Sequence, residues 1–457
     1  MKRKTVSLCM IARDEEASIG RAIKSALALV DEIVVVDTGS RDNTRIIAEG
    51  YGARILDEVW HDDFAAARNS ALAAAACDWI LVLDCDEQLQ SIRPVDFQRL
   101  LTDPGVAGYR LQVADGHDPD QLRTAPALRL FRNHPDVRYR YPVRELVEPS
   151  LVPVARMQGQ VIVDASLLLL HDPGHADQRS RKRDRNLRLL RDAMQAQPQE
   201  PYFAHQLGRE ALQWLDGEVL PVAGLDDARR HLEAAWCQVA GLHSDVRSLV
   251  SFGPQLAVDL AETLLAAGEP LRARAVISDA RRWWADDPQL LLCAVRVDVA
   301  LLARPGCAGL AADELAGLAE ANLEVLHQSA TVAGAADARV LVLNRLRLRG
   351  DLAFLQHRVS DAAEAYEQAL AQDQDYAAAW VGLADCARVA GDRKRALRLY
   401  LRAITASEWC VQAWLRGGDL LDDLGFHDNA ASWRLKLHAQ FPGYAGVEAA
   451  DPVPVPS

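Results

Sequence analysis

Three acidic clusters near the N-terminus carry the chain's clearest chemical signal: Asp14-Glu15-Glu16, Asp37 ahead of Thr38-Gly39-Ser40, and Asp84-Cys85-Asp86-Glu87. The last follows Trp79-Ile80-Leu81-Val82-Leu83, an apolar run of a length that suits a buried strand of a parallel sheet. Along an extended chain Asp84 and Asp86 face one side and Cys85 the other. Carboxylates this close repel one another unless a cation or a polar partner offsets their charge. Paired oxygen ligands with a spacer suit a hard divalent cation, Mg2+ or Mn2+, shared with substrate phosphates. A solvated turn after a strand is the plainer alternative for an isolated Asp-x-Asp. Asp37 can accept from a pyrimidine N3–H or a ribose hydroxyl. Gly39 permits a tight turn, and the helix start that follows offers backbone N–H groups.

The elements that must position these residues alternate in period. Val6 to Ile11 reads as a strand, Ala17 to Leu29 as an amphipathic helix, and Glu32 to Val36 as a second strand. A helix over Asp42 to Glu49, a short strand at Ala53 to Leu56, a helix over Asp63 to Ala76 and the strand at Trp79 complete the pattern. Such alternation gives an α/β, Rossmann-like, mostly parallel sheet with right-handed crossovers. It places all three acidic clusters on the carboxyl edge, where open α/β sheets bind nucleotides. Val106 to Val113 and Ala127 to Phe131 read as further strands on a mixed edge, and Ala165 to Leu170 as a late one.

At 457 residues the chain requires two or three domains. The formal net charge of −13 argues against nucleic acid as a main partner. Eight cysteines, none in a Cys-x-x-Cys pair, exclude a disulfide framework or a structural zinc site as the organising device. The start Met1-Lys2-Arg3-Lys4 leads into a single strand's length of apolar residues before Arg13-Asp14, too little for a signal peptide. No stretch of about eighteen apolar residues follows. The expectation is a cytoplasmic protein with no membrane span.

From about residue 343 the chain repeats every thirty-four positions: Trp380 and Trp414, Tyr366 and Tyr400, Ala362, Ala396 and Ala430, and Gly391 and Gly425. Gly350, Ala384 and Gly418 hold the small position of the first helix, and Pro442 falls at the terminating position. This is the tetratricopeptide period and residue logic. Earlier copies are degenerate, and residues 289–342 are Ala/Leu-rich helix without clear anchors. The domain plan is therefore 1–195, then degenerate helical repeats over 196–342, regular repeats over 343–445, and a disordered tail at 446–457. A solenoid of this kind offers a surface for a protein partner or for self-association.

The segments Leu8 to Glu16, Val30 to Thr44, Trp60-His61-Asp62-Asp63-Phe64-Ala65-Ala66-Ala67-Arg68-Asn69 and Asp78 to Glu87 resemble, in order and spacing, the family 2 glycosyltransferases. The likeness is to the subgroup with C-terminal tetratricopeptide-like helices, which includes sublancin-type peptide S-glycosyltransferases. The resemblance implies a GT-A domain followed by an all-α solenoid, with a nucleotide-sugar donor, most often UDP-linked. It implies a peptide, protein or glycan acceptor and a Mn2+ or Mg2+ cofactor. Glu15 or Glu16 and Asp37 would contact the nucleoside, Arg68 the base or diphosphate, and Asp84 and Asp86 the ribose and metal. Relatives usually carry Asn-Glu-Glu where this chain has Asp14-Glu15-Glu16. They tend to carry Val-His-Glu where it has Val143-Arg144-Glu145.

Inverting transfer needs a carboxylate to take the acceptor's proton, and Glu145 is the candidate. A surface Glu paired with Arg144 or Arg140 is the plainer reading. His171 stands where a late metal-binding His is placed. Lys182, Arg185 and Asn186 match a basic stretch that would face the leaving diphosphate, with a solvated helix face as the alternative. Arg129-Leu130-Phe131-Arg132 matches another stretch, read equally as a strand with basic residues outward. A nucleotidyltransferase would carry a Gly-rich loop where this chain has Ala12-Arg13-Asp14. A tetratricopeptide scaffold with an inactive GT-A domain is the alternative from another class.

Overall fold

The computed structural model describes residues 3–115, 124–172, 176–212, 214–215, 218–219, 224–285, 287–304, 312–330, 335–407 and 410–440. The expected tail 446–457 and the terminating Pro442 lie outside the described residues. The chain divides into two compact units, one of Met1–Gln197 and one beginning at Pro198.

The first unit is a single eight-stranded sheet with helices on both faces. In chain order its elements are β1 (Val6–Ala12), α1 (Ile19–Ala26), β2 (Glu32–Asp37), α2 (Thr44–Gly50), β3 (Arg54–Asp57), α3 (Phe64–Ala74), β4 (Trp79–Val82) and β5 (Glu87–Leu89). They continue with α4 (Pro94–Leu101), β6 (Val106–Asp115), β7 (Thr124–Arg132), α5 (Glu148–Met157), β8 (Val161–His171) and α6 (Ala176–Ala196). The strand order is β3-β2-β1-β4-β7-β6-β8-β5. Strands β3, β2, β1 and β4 run parallel, β7 is antiparallel to β4 and β6, β8 is parallel to β6, and β5 is antiparallel to β8.

Alternation along the strands divides the core. Val6, Leu8 and Met10 of β1 and Trp79 and Leu81 of β4 pack with Ile19, Ala22 and Ile23 of α1 and Phe97 of α4. Cys9 of β1, Val34 and Val36 of β2 and Ile80 and Val82 of β4 face the other way, onto Ala67, Ala71 and Leu72 of α3 and Leu151 and Val154 of α5. Both faces of these strands are apolar because both are covered, which is why they read as continuous hydrophobic runs. The mixed half is larger than the expected edge. Strand β5 and helices α4 and α5 have no counterpart in the sequence reading. Helix α5 carries Pro149 in its first turn and Pro153 inside, and β5 is only three residues long.

The second unit is mostly helical: Pro201–Ala211 packs on Leu225–Ala240 near its start and Val411–Asp423 on His427–Gln440 further along. Residues 342 and 343, where the regular repeats are expected to begin, lie within the helix Ala335–Leu355. Among the described residues no helix is long and apolar enough to cross a membrane.

Tyr366 accounts for two glycines of the regular repeats. A Cβ added at Gly350 would lie 2.5 Å from its ring, and one at Gly382, in the next pair, 2.3 Å. Gly418 also lies in a helix, but a Cβ there meets nothing within 4 Å. Gly382→Ala is therefore expected to lose about 1–3 kcal/mol through overpacking. Gly418→Ala should gain about 0.5–1 kcal/mol from the removed backbone entropy. Urea unfolding followed by circular dichroism checks both, and equal effects would refute the contact.

Candidate active site

The loops after β1 and β2 are tied together by reciprocal hydrogen bonds. The Asp14 N–H donates to Ser40 Oγ at 3.0 Å, while Asp14 Oδ1 accepts from the Arg41 N–H at 2.7 Å. The Glu15 N–H donates to Thr44 Oγ1 at 2.7 Å, and Glu16 Oε2 accepts from Asn43 N–H and Nδ2 at 3.0 and 2.9 Å. Glu16 is therefore engaged within this clasp, while Glu15 Oε2 accepts from Ser18 Oγ at 2.6 Å. Burial raises the Glu15 carboxyl, against a hydrogen bond from Ser18, and the charge of Asp86 adds to the rise. Asp14 has a φ of +55°. This left-handed region is one that Asn and Asp tolerate better than other side chains. The place where relatives have Asn thus needs that backbone and an acceptor, and Asp supplies both.

Asp37, at the end of β2, is only 2% exposed. Its Oδ2 accepts from the N–H groups of Gly39 and Ser40 at 3.2 and 3.1 Å, and Gly39 makes the turn at a φ of +102°. Its Oδ1 is buried with no hydrogen-bond partner. An unsatisfied buried carboxylate oxygen is costly and marks a place where a donor belongs.

After β4 the chain does not stay extended. Asp84 to Glu87 forms a turn in which the Glu87 N–H donates to the Asp84 carbonyl at 3.0 Å. Glu87 Oε2 reaches back to the Asp84 N–H at 3.0 Å, and the Cys85 thiol donates to the Ile11 carbonyl. The turn separates the two aspartates. Asp84 Oδ1 accepts from Arg68 Nη2 at 2.6 Å and Oδ2 from Arg129 Nη2 at 2.9 Å. Burial works to raise the Asp84 carboxyl, but the charges of Arg129 and Arg68 hold it well below the usual carboxylate range. The chain at Asp84 and Asp86 is thus a turn and not an extended strand, and the two arginines offset the Asp84 charge.

Asp86 has different surroundings. Its Oδ2 lies 2.8 Å from Lys182 Nζ of α6 and 3.5 Å from His171 Nε2 at the end of β8. Burial opposes its ionisation, yet the hydrogen bonds from His171 and Lys182 keep its carboxyl below the ordinary value. Lys182 is held protonated against burial by Asp86. Strand β5 pairs Glu87 with His171, and the Asp172 N–H donates to the Asp86 carbonyl at 2.9 Å, so this His and this Asp are brought together by the sheet.

Arg68 lies on α3, buried, and its Nε donates to Glu145 Oε1 at 2.6 Å. Asn69 clamps the same loop, donating to the Tyr139 carbonyl and accepting its N–H at 3.0 and 2.8 Å. Glu145 is thus neither a surface residue nor a partner of Arg140. Arg185 of α6, an exposed residue, sits 4.9 Å over the Phe64 ring, and partial desolvation lowers its pKa. Arg188 anchors α6 to Asp62 at 3.0 Å. The sequence reading names Arg129 and Glu87 within their motifs but gives neither a role in the cluster. The available signal is parity: Phe131 packs on the α3 face of the sheet, and Arg129, two residues earlier, shares that face with Arg68.

Residues 7–139 match the family model for glycosyl transferase family 2, and residues 353–407 match one for the tetratricopeptide repeat. A TPR repeat-containing protein of Synechococcus elongatus is 37% identical over 207 residues, covering 44% of this chain and 51% of that one. A lipopolysaccharide core biosynthesis glycosyltransferase of Rhizobium meliloti is 29% identical over 159 residues, covering 32% and 57%. The chain thus spans about half the length of these curated relatives. The crystal structure of glucosyl-3-phosphoglycerate synthase from Mycobacterium tuberculosis with Mn2+, UDP and product is 21% identical, covers 39% of this chain and 75% of that one, and superposes with a TM-score of 0.30. At that score it adds nothing to the fold described above.

Asp14→Asn is expected to keep wild-type stability. Asp14→Ala should lose about 1–2 kcal/mol from left-handed strain alone. Arg68→Met leaves Glu145 and Asp84 short of a buried partner and should cost about 3–5 kcal/mol. Thermal unfolding of the three variants checks this order.

Proposed function

We propose that the chain is a divalent-cation-dependent glycosyltransferase. It would move a sugar from a nucleotide-sugar, UDP-linked, to a peptide, protein or glycan acceptor with inversion at the anomeric carbon. The observation that carries the reading is the convergence, on one sheet edge, of an unsatisfied buried carboxylate at Asp37 with the Asp86–His171–Lys182 group. The family-model match over residues 7–139 supports it.

The residues fit a cation of the Mn2+ or Mg2+ class. Asp86 offers an ionised oxygen and His171 an imidazole nitrogen nearby. Among the described residues no three metal-ligating side chains come together, so the remaining ligands would be diphosphate oxygens and water, as is usual for such ions at phosphate sites. When bound, the cation would offset the charge that grows on the leaving diphosphate.

The chain's own residues supply the rest. Asp37 Oδ1 accepts from the base or ribose of the donor, with Glu15 close by. Lys182, released from Asp86, and Arg185 face the diphosphate and stabilise it as the glycosidic C–O bond breaks. Arg68 orients Glu145 through Oε1, which leaves Oε2 for the acceptor's proton. The nucleophile then bonds to the anomeric carbon, and the nucleoside diphosphate departs with the bonding electrons. The repeats are proposed to hold the acceptor or a protein partner. The relative named for lipopolysaccharide core biosynthesis favours a glycan acceptor.

Calorimetric titration with UDP, with and without Mn2+, tests this reading against an inactive scaffold. Cation-dependent binding is expected, lost in Asp86→Ala together with turnover of a nucleotide-sugar. Asp37→Ala should weaken UDP about 10- to 100-fold, the worth of one or two charge-assisted hydrogen bonds. A wild-type protein that binds no nucleotide in either condition would overturn the proposal.

A further inference from the structure

The buried ions beneath the site form a single chain of alternating sign. Glu145 Oε1 meets Arg68 Nε at 2.6 Å, Arg68 Nη2 meets Asp84 Oδ1 at 2.6 Å, Asp84 Oδ2 meets Arg129 Nη2 at 2.9 Å, and the same Nη2 meets Glu87 Oε1 at 2.6 Å. Four separate pieces of chain contribute: the loop before α5, helix α3, the turn after β4 with the start of β5, and strand β7. Glu87 is 2% exposed, and burial raises its carboxyl, against the charge of Arg129. Glu87 also closes the Asp84–Glu87 turn, through its Oε2 on the Asp84 N–H and its own N–H on the Asp84 carbonyl.

We propose that Arg129 is a positioning residue: by bridging Asp84 and Glu87 it keeps this turn closed, and the closed turn aims Asp86 at His171 for a divalent cation. The inference rests on the cation-dependent reading above. With Arg129 present, three carboxylates face two guanidiniums. With it removed, Asp84 and Glu87 lose the guanidinium that ties them together, and their charges also repel one another with only Arg68 to offset them. The turn then opens at its own hydrogen bonds. Because β5 pairs Glu87 with His171, opening displaces Asp86 against the strand that carries the histidine. Lysine keeps the charge but not the planar, multi-donor head, so it should restore only part of the effect.

Arg129 touches neither the Asp37 loop nor Lys182, so loss of its role separates two quantities that a general loss of structure would move together. The full chain is used as wild type, Arg129→Met, Arg129→Lys, and the double variant Arg129→Met with Glu87→Gln, which removes the stranded buried charge and protects folding. Each is titrated with UDP alone and with UDP plus Mn2+, beside a circular-dichroism melt. UDP affinity without cation is expected to stay at the wild-type level in the folded variants. The enhancement by Mn2+ should fall about 10- to 100-fold in Arg129→Met and in the double variant, the usual cost of losing a group that orients a metal ligand. Arg129→Lys should lie between them and wild type. Wild-type enhancement in a folded Arg129→Met variant, single or double, would overturn the proposal while leaving the proposed function intact. Failure of both Met variants to fold would also overturn it, in favour of a purely structural role. A wild type that binds UDP with no Mn2+ enhancement would refute the cation-dependent reading, and this inference with it.

Discussion

The site depends on one constraint: a carboxylate, Asp84, held between two guanidiniums, the buried Arg68 and the largely covered Arg129. Neither arginine would be tolerated there alone, and neither would the carboxylates. Each ion is desolvated by the fold, and each is made affordable only by its neighbours in the chain from Glu145 to Glu87. The consequence is geometric. Loop, helix, turn and strand can close on one another only in the arrangement that matches charge to charge, so the acceptor-side carboxylate and the Asp-x-Asp turn are set by the same contacts.

That arrangement divides labour between two aspartates that look equivalent in the sequence. Asp84 has both oxygens engaged by arginines. Asp86 faces a histidine and a lysine through Oδ2 instead. The clasp between the loops after β1 and β2 has the same logic. Asp14 and Glu16 serve the backbone, which leaves Asp37 with one satisfied oxygen and one that is not.

The helical unit uses tyrosine and glycine where the first unit uses charge. Tyr366 fills the space left by Gly350 and Gly382 and hydrogen-bonds Asp351 at 2.7 Å. Tyr400 repeats the bond to Asp385 thirty-four residues on. The arrangement recurs because each pair must bury the same ring against its neighbour.

The order of strands and helices from β1 to β4, the edge on which the acidic clusters lie and the repeat period were all legible in the sequence. Each depends on local periodicity: buried parallel strands are continuously apolar, helices alternate near 3.6, and stacked pairs recur at a fixed length. The Asp37 turn was legible for the same reason, since Asp, Gly and Ser within four residues close it without outside help. What only the tertiary structure decided is which charge meets which. Arg68 and Glu145 are 77 residues apart, and Arg129 and Asp84 are 45 apart. No pattern within a strand or a helix encodes those pairings. They follow from the placement of β7 beside β4 and of the Glu145 loop over α3, and that placement divides Asp84 from Asp86.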